Sequence, residues 1–226
     1  VERERMFVLI LLTLSTVVFW ALFEQGAGSM TLYADRVTDK TLFGITLTAA
    51  QFGAANSFFI FSLAPLFAML WIRLGRRGWE PSTPVKFSLG IAQAGLGFGA
   101  LVYGAQFPDQ AGVVSAWWLI VAYLLHTTGE LCLSPVGLSA VTKLAVPSVV
   151  GVMMGTWFLA SAYSSYVAAQ IATIAARPAN ESSLNLTDAL SGYTELFSQL
   201  LTIGLAGGAV LLVLSPVLKR MMHGVR

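Results

Sequence analysis

Six long apolar runs, each about the length of a membrane span, constrain this chain more than any other feature. A helix needs roughly 20 apolar residues to cross a hydrocarbon core about 30 Å thick. Within lipid, only helices and closed barrels satisfy their own backbone polar groups. The runs place helix A at about 5–34, helix B at 45–75, helix C at 84–106, helix D at 115–145, helix E at 149–176 and helix F at 193–219. Polar and helix-breaking residues punctuate them: Asp35-Arg36 with Thr38-Asp39-Lys40, then Arg76-Arg77-Gly78 with Pro81 and Pro84, then Pro108-Asp109, Pro147-Ser148 and the stretch from Arg177 to Leu190. Composition agrees, since only 11% of the 226 residues are charged, against about 25% in soluble domains. The reading is an all-α membrane protein with little chain outside lipid.

The same sequence excludes several functions. A net charge of +2 and the lack of a basic cluster interleaved with aromatics argue against nucleic acid as a partner. Cys132 is the single cysteine, so neither an intrachain disulfide nor a cysteine metal site is available. The two histidines, His126 and His223, form no His-Glu-x-x-His pattern, and there is no Gly-x-Ser-x-Gly elbow. Neither an enzyme nor a bound cofactor is expected. Val1 and a charged stretch lead straight into helix A, which reads as a cut made just before a helix.

Orientation follows from the basic residues. With both termini cytoplasmic, that side holds Arg3, Arg5, Arg73, Arg76, Arg77, Lys86, Lys143, Lys219, Arg220 and Arg226. The opposite side holds Arg36, Lys40 and Arg177. Ten against three follows the positive-inside bias. Small residues at close-packing spacing, Gly95 with Gly99, Gly151 with Gly155 and Gly204 with Gly208, suit tight helix contacts.

Two carboxylates interrupt apolar helices: Glu24 in helix A and Glu130 in helix D. A charge at the bilayer centre costs about 2.5–3.5 kcal/mol or more. Such a group persists where it meets water, a cation or a proton, and a carboxyl group withdrawn from water can exchange protons near neutral pH. The alternative is a fixed interhelical hydrogen bond. At about 1.5 Å per residue, Glu24 and Asn56 lie roughly 15 Å and Glu130 roughly 21 Å below the outer ends. These three polar groups fall near one mid-membrane layer, where carriers place substrate and ion sites. Trp20 lies four residues before Glu24, and His126 and Ser134 lie four residues either side of Glu130, so each shares a helical face with its carboxylate. Pro135 removes a backbone donor and is expected to loosen helix D. Trp157 sits deep in helix E, as a pocket wall would.

The motifs resemble the proton-dependent oligopeptide transporters of the major facilitator superfamily. Helix A carries Phe19-Trp20-Ala21-Leu22-Phe23-Glu24-Gln25-Gly26, similar to that family's seventh helix, followed by Ala34-Asp35-Arg36. Helix D carries Gly129-Glu130-Leu131-Cys132-Leu133-Ser134-Pro135-Val136-Gly137-Leu138-Ser139 and Thr142-Lys143-Leu144-Ala145, similar to the tenth. Met153-Met154-Gly155-Thr156-Trp157-Phe158-Leu159 in helix E fits as well. The resemblance implies one half, helices 7–12, of a twelve-helix carrier that moves di- and tripeptides with protons by alternating access. It implies that Glu130 and Asn56 hold the peptide amino terminus, while Trp20, Ser134 and Trp157 line a side-chain pocket. It also implies that Glu24 pairs with a lysine of the amino-terminal half in a proton-sensitive outer gate; the kink expected at Pro135, just below Glu130, is either a hinge for gating or an ordinary tolerated kink. Protons are then the coupling ion, and the amino-terminal half supplies the cation for the peptide carboxylate. Ser57 stands where the family often has proline, and Phe23 where many members have a second glutamate. The short connection between helices C and D favours a bacterial type and hence the cytoplasmic membrane. The alternatives are a carrier of the same superfamily for another solute, such as nitrate or a drug, and a membrane assembly subunit whose polar layer is only helix–helix glue.

Overall fold

The computed structural model describes residues 1–176 and 185–225. The described helices are α1 (Glu2–Phe23), α2 (Ser29–Val37), α3 (Ala54–Arg76), α4 (Thr83–Gly104), α5 (Trp117–Leu144), α6 (Val150–Ala176) and α7 (Leu186–Met221). Five helical stretches are long and apolar enough to cross a membrane among the described residues: 2–37, 49–76, 83–104, 117–144 and 186–221. The sixth is α6, whose 27 residues carry no charge and reach about 40 Å at 1.5 Å each. The all-α architecture with six crossing segments is as the hydropathy predicts.

Three boundaries differ from the sequence expectation, each for a local reason. Helix A is not continuous. It ends at Phe23, passes through a 3-10 turn over Glu24–Gly26, and restarts at Ser29 after the non-helical Gly28. Side chains take up backbone groups that the break releases. Gln25, fully buried, donates from Nε2 to the carbonyls of Ala21 (3.2 Å) and Ala168 (3.0 Å) and accepts from Ser29 Oγ (2.8 Å). Thr31 Oγ1 (2.8 Å) and Tyr123 Oη (3.0 Å) both donate to the Gly26 carbonyl. Breaks at membrane depth persist only when backbone groups are re-satisfied in this way.

Helix B begins later than residue 45. Strands β1 (Thr38–Asp39), β2 (Thr41–Leu42) and β3 (Ile45–Thr46) come first, and β4 (Val114–Ser115) pairs in parallel with β1. The β2–β3 hairpin turns through Phe43 and Gly44 with φ of 52° and 79°, the positive pair that a type I′ turn requires. A 3-10 turn over Ala49–Gly53 then leads into α3, the Thr48 N–H donating to Gln51 Oε1 at 2.7 Å.

Helix F starts at Leu186, seven residues before expectation. Leu190, Tyr193 and Phe197 recur at helical spacing and are buried, with Tyr193 and Phe197 edge-on to Tyr33 of α2. Polar residues cover the other face, so an amphipathic turn outside the lipid reads as a loop by hydropathy alone. The rest of the Arg177-to-Leu190 stretch lies outside the described residues.

The core runs through α4. On one side α4 meets α7 so closely that a Cβ built on Gly204 would stand 2.5 Å from the Gly95 Cα. On the other, a Cβ on Gly90 would meet the Gly129 carbonyl of α5 at 2.9 Å. Gly208 also lies on the α7 seam, whereas Gly151 and Gly155 of α6 face open space. The start of α1 and the end of α7 lie together, Arg5 Nη2 donating to the His223 carbonyl (3.3 Å) and Glu4 pairing with His223. The other end holds Lys40–Asp35 (3.2 Å) and Arg36–Tyr193 (3.1 Å). In contrast to α4, α3 has no buried residue.

Candidate functional site

Asn56, in the first turn of α3, reaches across to α5. Its Nδ2 donates to Thr127 Oγ1 at 3.0 Å and to Glu130 Oε2 at 3.3 Å. Thr127 can accept because its own proton is donated to the Tyr123 carbonyl at 2.7 Å. Thr127 and Glu130 are three residues apart, so one face of α5 presents both acceptors. Glu130 is half-buried, and among the described residues its carboxylate accepts a hydrogen bond from Asn56 alone.

Glu24 sits where the first helix breaks. Ser165 of α6 donates to Glu24 Oε1 at 2.8 Å, so the carboxylate bridges two helices at a point where backbone geometry has already given way. A cavity of about 400 Å³ joins these elements, with Phe23, Glu24, Thr31, Asn56, Tyr123 and His126 in its wall. Glu24 and Asn56 thus share one hollow, and Glu130 connects to it through Asn56. Among the described residues, the ion pairs lie at the ends of the bundle, and neither Glu24 nor Glu130 is ion-paired. Two carboxylates beside one cavity make it a place for cationic groups and protons.

The other candidate residues separate. Trp20 packs edge-on against Phe19 and Phe23 (both 5.3 Å), and its indole N–H is buried without a hydrogen-bond partner. Ser134 is half-buried one turn beyond Glu130, and Pro135 is exposed within the continuous helix α5. Trp157 is 4% exposed, 6.2 Å from Phe87 and over Gly137, where a Cβ would collide with its ring. It packs at the junction of α4, α5 and α6 and does not line the Glu24–Asn56 cavity. His126 is buried, its Nε2 3.0 Å from the Ala94 carbonyl, with Phe98 edge-on at 5.0 Å.

With this geometry in place, comparison with known proteins identifies the lineage. The profile described as PTR2, POT family, matches residues 1–190. The chain belongs to the POT family. Among its POT relatives, the uncharacterized transporter YclF of Bacillus subtilis (strain 168) is 41% identical over 99% of this chain and 42% of its own length. Dipeptide and tripeptide permease B of Aliivibrio fischeri (strain MJ11) is 33% identical over 98% of this chain and 44% of its own. A crystal structure of a peptide transporter POT in complex with sulfate superposes with a TM-score of 0.84 at 35% identity, covering 99% of this chain and 42% of that one. The chain therefore spans less than half the length of the curated relatives it matches. It is a multi-pass membrane protein, and the relatives are named as transporters and permeases, not enzymes.

Residue-by-residue reading of the sequence missed three contributors to this cluster. Thr127 orients Asn56, Tyr123 ties α5 to the broken helix, and Ser165 holds Glu24. Thr127 had a signal in its i+3 spacing to Glu130. Ser165 had none, because its partner is far away in sequence.

Proposed function

We propose that residues 1–226 form the carboxy-terminal six-helix half of a proton-coupled symporter for di- and tripeptides. The Asn56–Glu130 contact across α3 and α5, beside a cavity that also holds Glu24, carries this reading. A peptide ammonium needs an anion inside a dry site, and Glu130 offers a carboxylate oxygen with Asn56 orienting it. Protons serve as the coupling ion, with no cofactor. Glu24 takes a lysine of the amino-terminal half as its partner, so that protonation loosens the outer gate, and Pro135 contributes hinge freedom. Trp20, Ser134 and Trp157 are assigned to the side-chain pocket, with the buried Trp20 N–H an available donor. The protein resides in the cytoplasmic membrane with both ends of this chain cytoplasmic, in keeping with the excess of basic residues where α1 starts and α7 ends.

The reading draws support from relatives named as di- and tripeptide permeases. A nitrate carrier is disfavoured because a carboxylate at the binding site repels an anion. The deciding experiment is uptake of labelled dialanine into liposomes holding the intact protein. Accumulation driven by an inward proton gradient and abolished by a protonophore is expected. Uptake of nitrate but not dialanine under the same gradient would overturn the proposal.

A further inference from the structure

Away from this cavity, a second hollow of about 490 Å³ opens at the end of the bundle where α1 starts and α7 finishes. Gly78, Glu80 and Ser82 form one wall, and Pro216, Lys219 and Arg220 of α7 the other. We propose that this cleft binds the phosphate of an anionic phospholipid headgroup, with one acyl chain lying along α7.

Charge supports an anion. Lys219 and Arg220 are exposed and engage no acceptor among the described residues, whereas Arg36 and Lys40 at the opposite end are both partnered. The Glu80 carboxylate does not oppose this, because Lys86 Nζ pairs with it at 2.5 Å while lying 4.6 Å from the centre of the Trp71 ring. Ser82, at the N-cap of α4, makes no capping hydrogen bond with its hydroxyl. Two free cations and one free hydroxyl thus face a hollow whose acidic residue is already neutralised.

The surface beside the cleft specifies lipid over soluble phosphate. Val210, Val213 and Val217 are 58%, 77% and 55% exposed, and at spacings of three and four residues they share one helical face with Arg220. From Val210 to Arg220 that stripe runs about 15 Å, one leaflet of a core about 30 Å thick. An apolar stripe ending in a basic cleft matches a lipid's tail and head. Free phosphate has no use for the stripe.

Native mass spectrometry of the intact protein tests this, titrating phosphatidylglycerol against phosphatidylcholine of identical acyl chains. Phosphatidylglycerol is expected to be retained preferentially. In K219Q/R220Q the preference should fall roughly thirtyfold, each cation near an anionic surface being worth about fivefold. K86Q should weaken it too, by freeing the Glu80 charge, while R76Q/R77Q, basic residues outside the cleft, should leave it intact. Should the double variant fold poorly, R220Q alone at its exposed position carries the same test. Equal retention of the two lipids, or a preference unchanged in K219Q/R220Q, would overturn the proposal. Displacement of phosphatidylglycerol by inorganic phosphate would also overturn it, by making the site one for soluble anions.

Discussion

Helices α4 and α3 are neighbours in sequence and opposites in packing. Helix α4 is locked between α5 and α7 through glycines that leave backbone against backbone. Helix α3 buries no residue: Ala55 and Phe59 pack only partly against the core, and polar contacts reach across the bundle, Asn56 to Thr127 and Glu130 at one end and Lys86 over Trp71 at the other. In lipid, tight van der Waals contact and hydrogen bonds replace the hydrophobic effect as the force between helices. One helix uses the first and the other uses the second. A seam of interlocked backbone makes a scaffold, and a helix tethered by a few hydrogen bonds can shift when one of them changes. The groups that tether α3 are the groups proposed to receive the substrate.

The largest effect should come from breaking the scaffold. G204L places a side chain where even a Cβ would stand 2.5 Å from the Gly95 backbone, and overpacking that cannot relax costs about 3 kcal/mol or more. We expect no monodisperse peak in fluorescence-detected gel filtration. A normal elution profile and melting temperature would show that the seam is not the rigid element.

Next is E130Q, which keeps the shape of the site and removes its charge. Dialanine uptake should fall at least about a hundredfold, losing a charge-assisted contact of roughly 3 kcal/mol, while thermal stability stays close to that of the unmodified protein. If uptake survives with stability intact, the polar layer is helix–helix glue and the assembly-subunit reading returns.

N56A sharpens the comparison on the α3 side. Losing this tether should cost about 1 kcal/mol. Amides of α3 should then exchange with deuterium faster while those of α4 and α7 stay protected. Uniform loss of protection would mean that the two helices are not separate units. The smallest effect belongs to F61A, at a position 85% exposed on α3. A change within about 0.5 kcal/mol in a detergent thermal-shift assay is expected. A larger loss in detergent would reveal a packing role that this structure does not contain.

Hydropathy made the spans legible because lipid imposes the same demand on every crossing segment. Glu130 and Asn56 were legible for the converse reason, since a polar group at that depth stands out. The break after Phe23 was not, as Gly26 and Gly28 are unremarkable in a membrane helix and the repair comes from Tyr123, 97 residues away. The early start of α7 was hidden because amphipathic turns outside lipid carry no run of apolar residues. Trp157 shows the limit of depth as a guide. Depth gives its level in α6 but not its neighbours, and only three-dimensional packing shows the ring lying against Phe87 and over Gly137.

The Gly95–Gly204 junction also bears on how the protein is made. Chains emerge at about 5–20 residues per second, so on the order of 100 residues of further translation separate the two glycines by several seconds or more. During that interval the face that α4 presents at Gly95 is expected to stand without its partner until α7 emerges. This backbone-on-backbone joint is therefore expected to close late, and cysteine labelling of G95C on ribosome-stalled chains would show that face open until α7 has inserted.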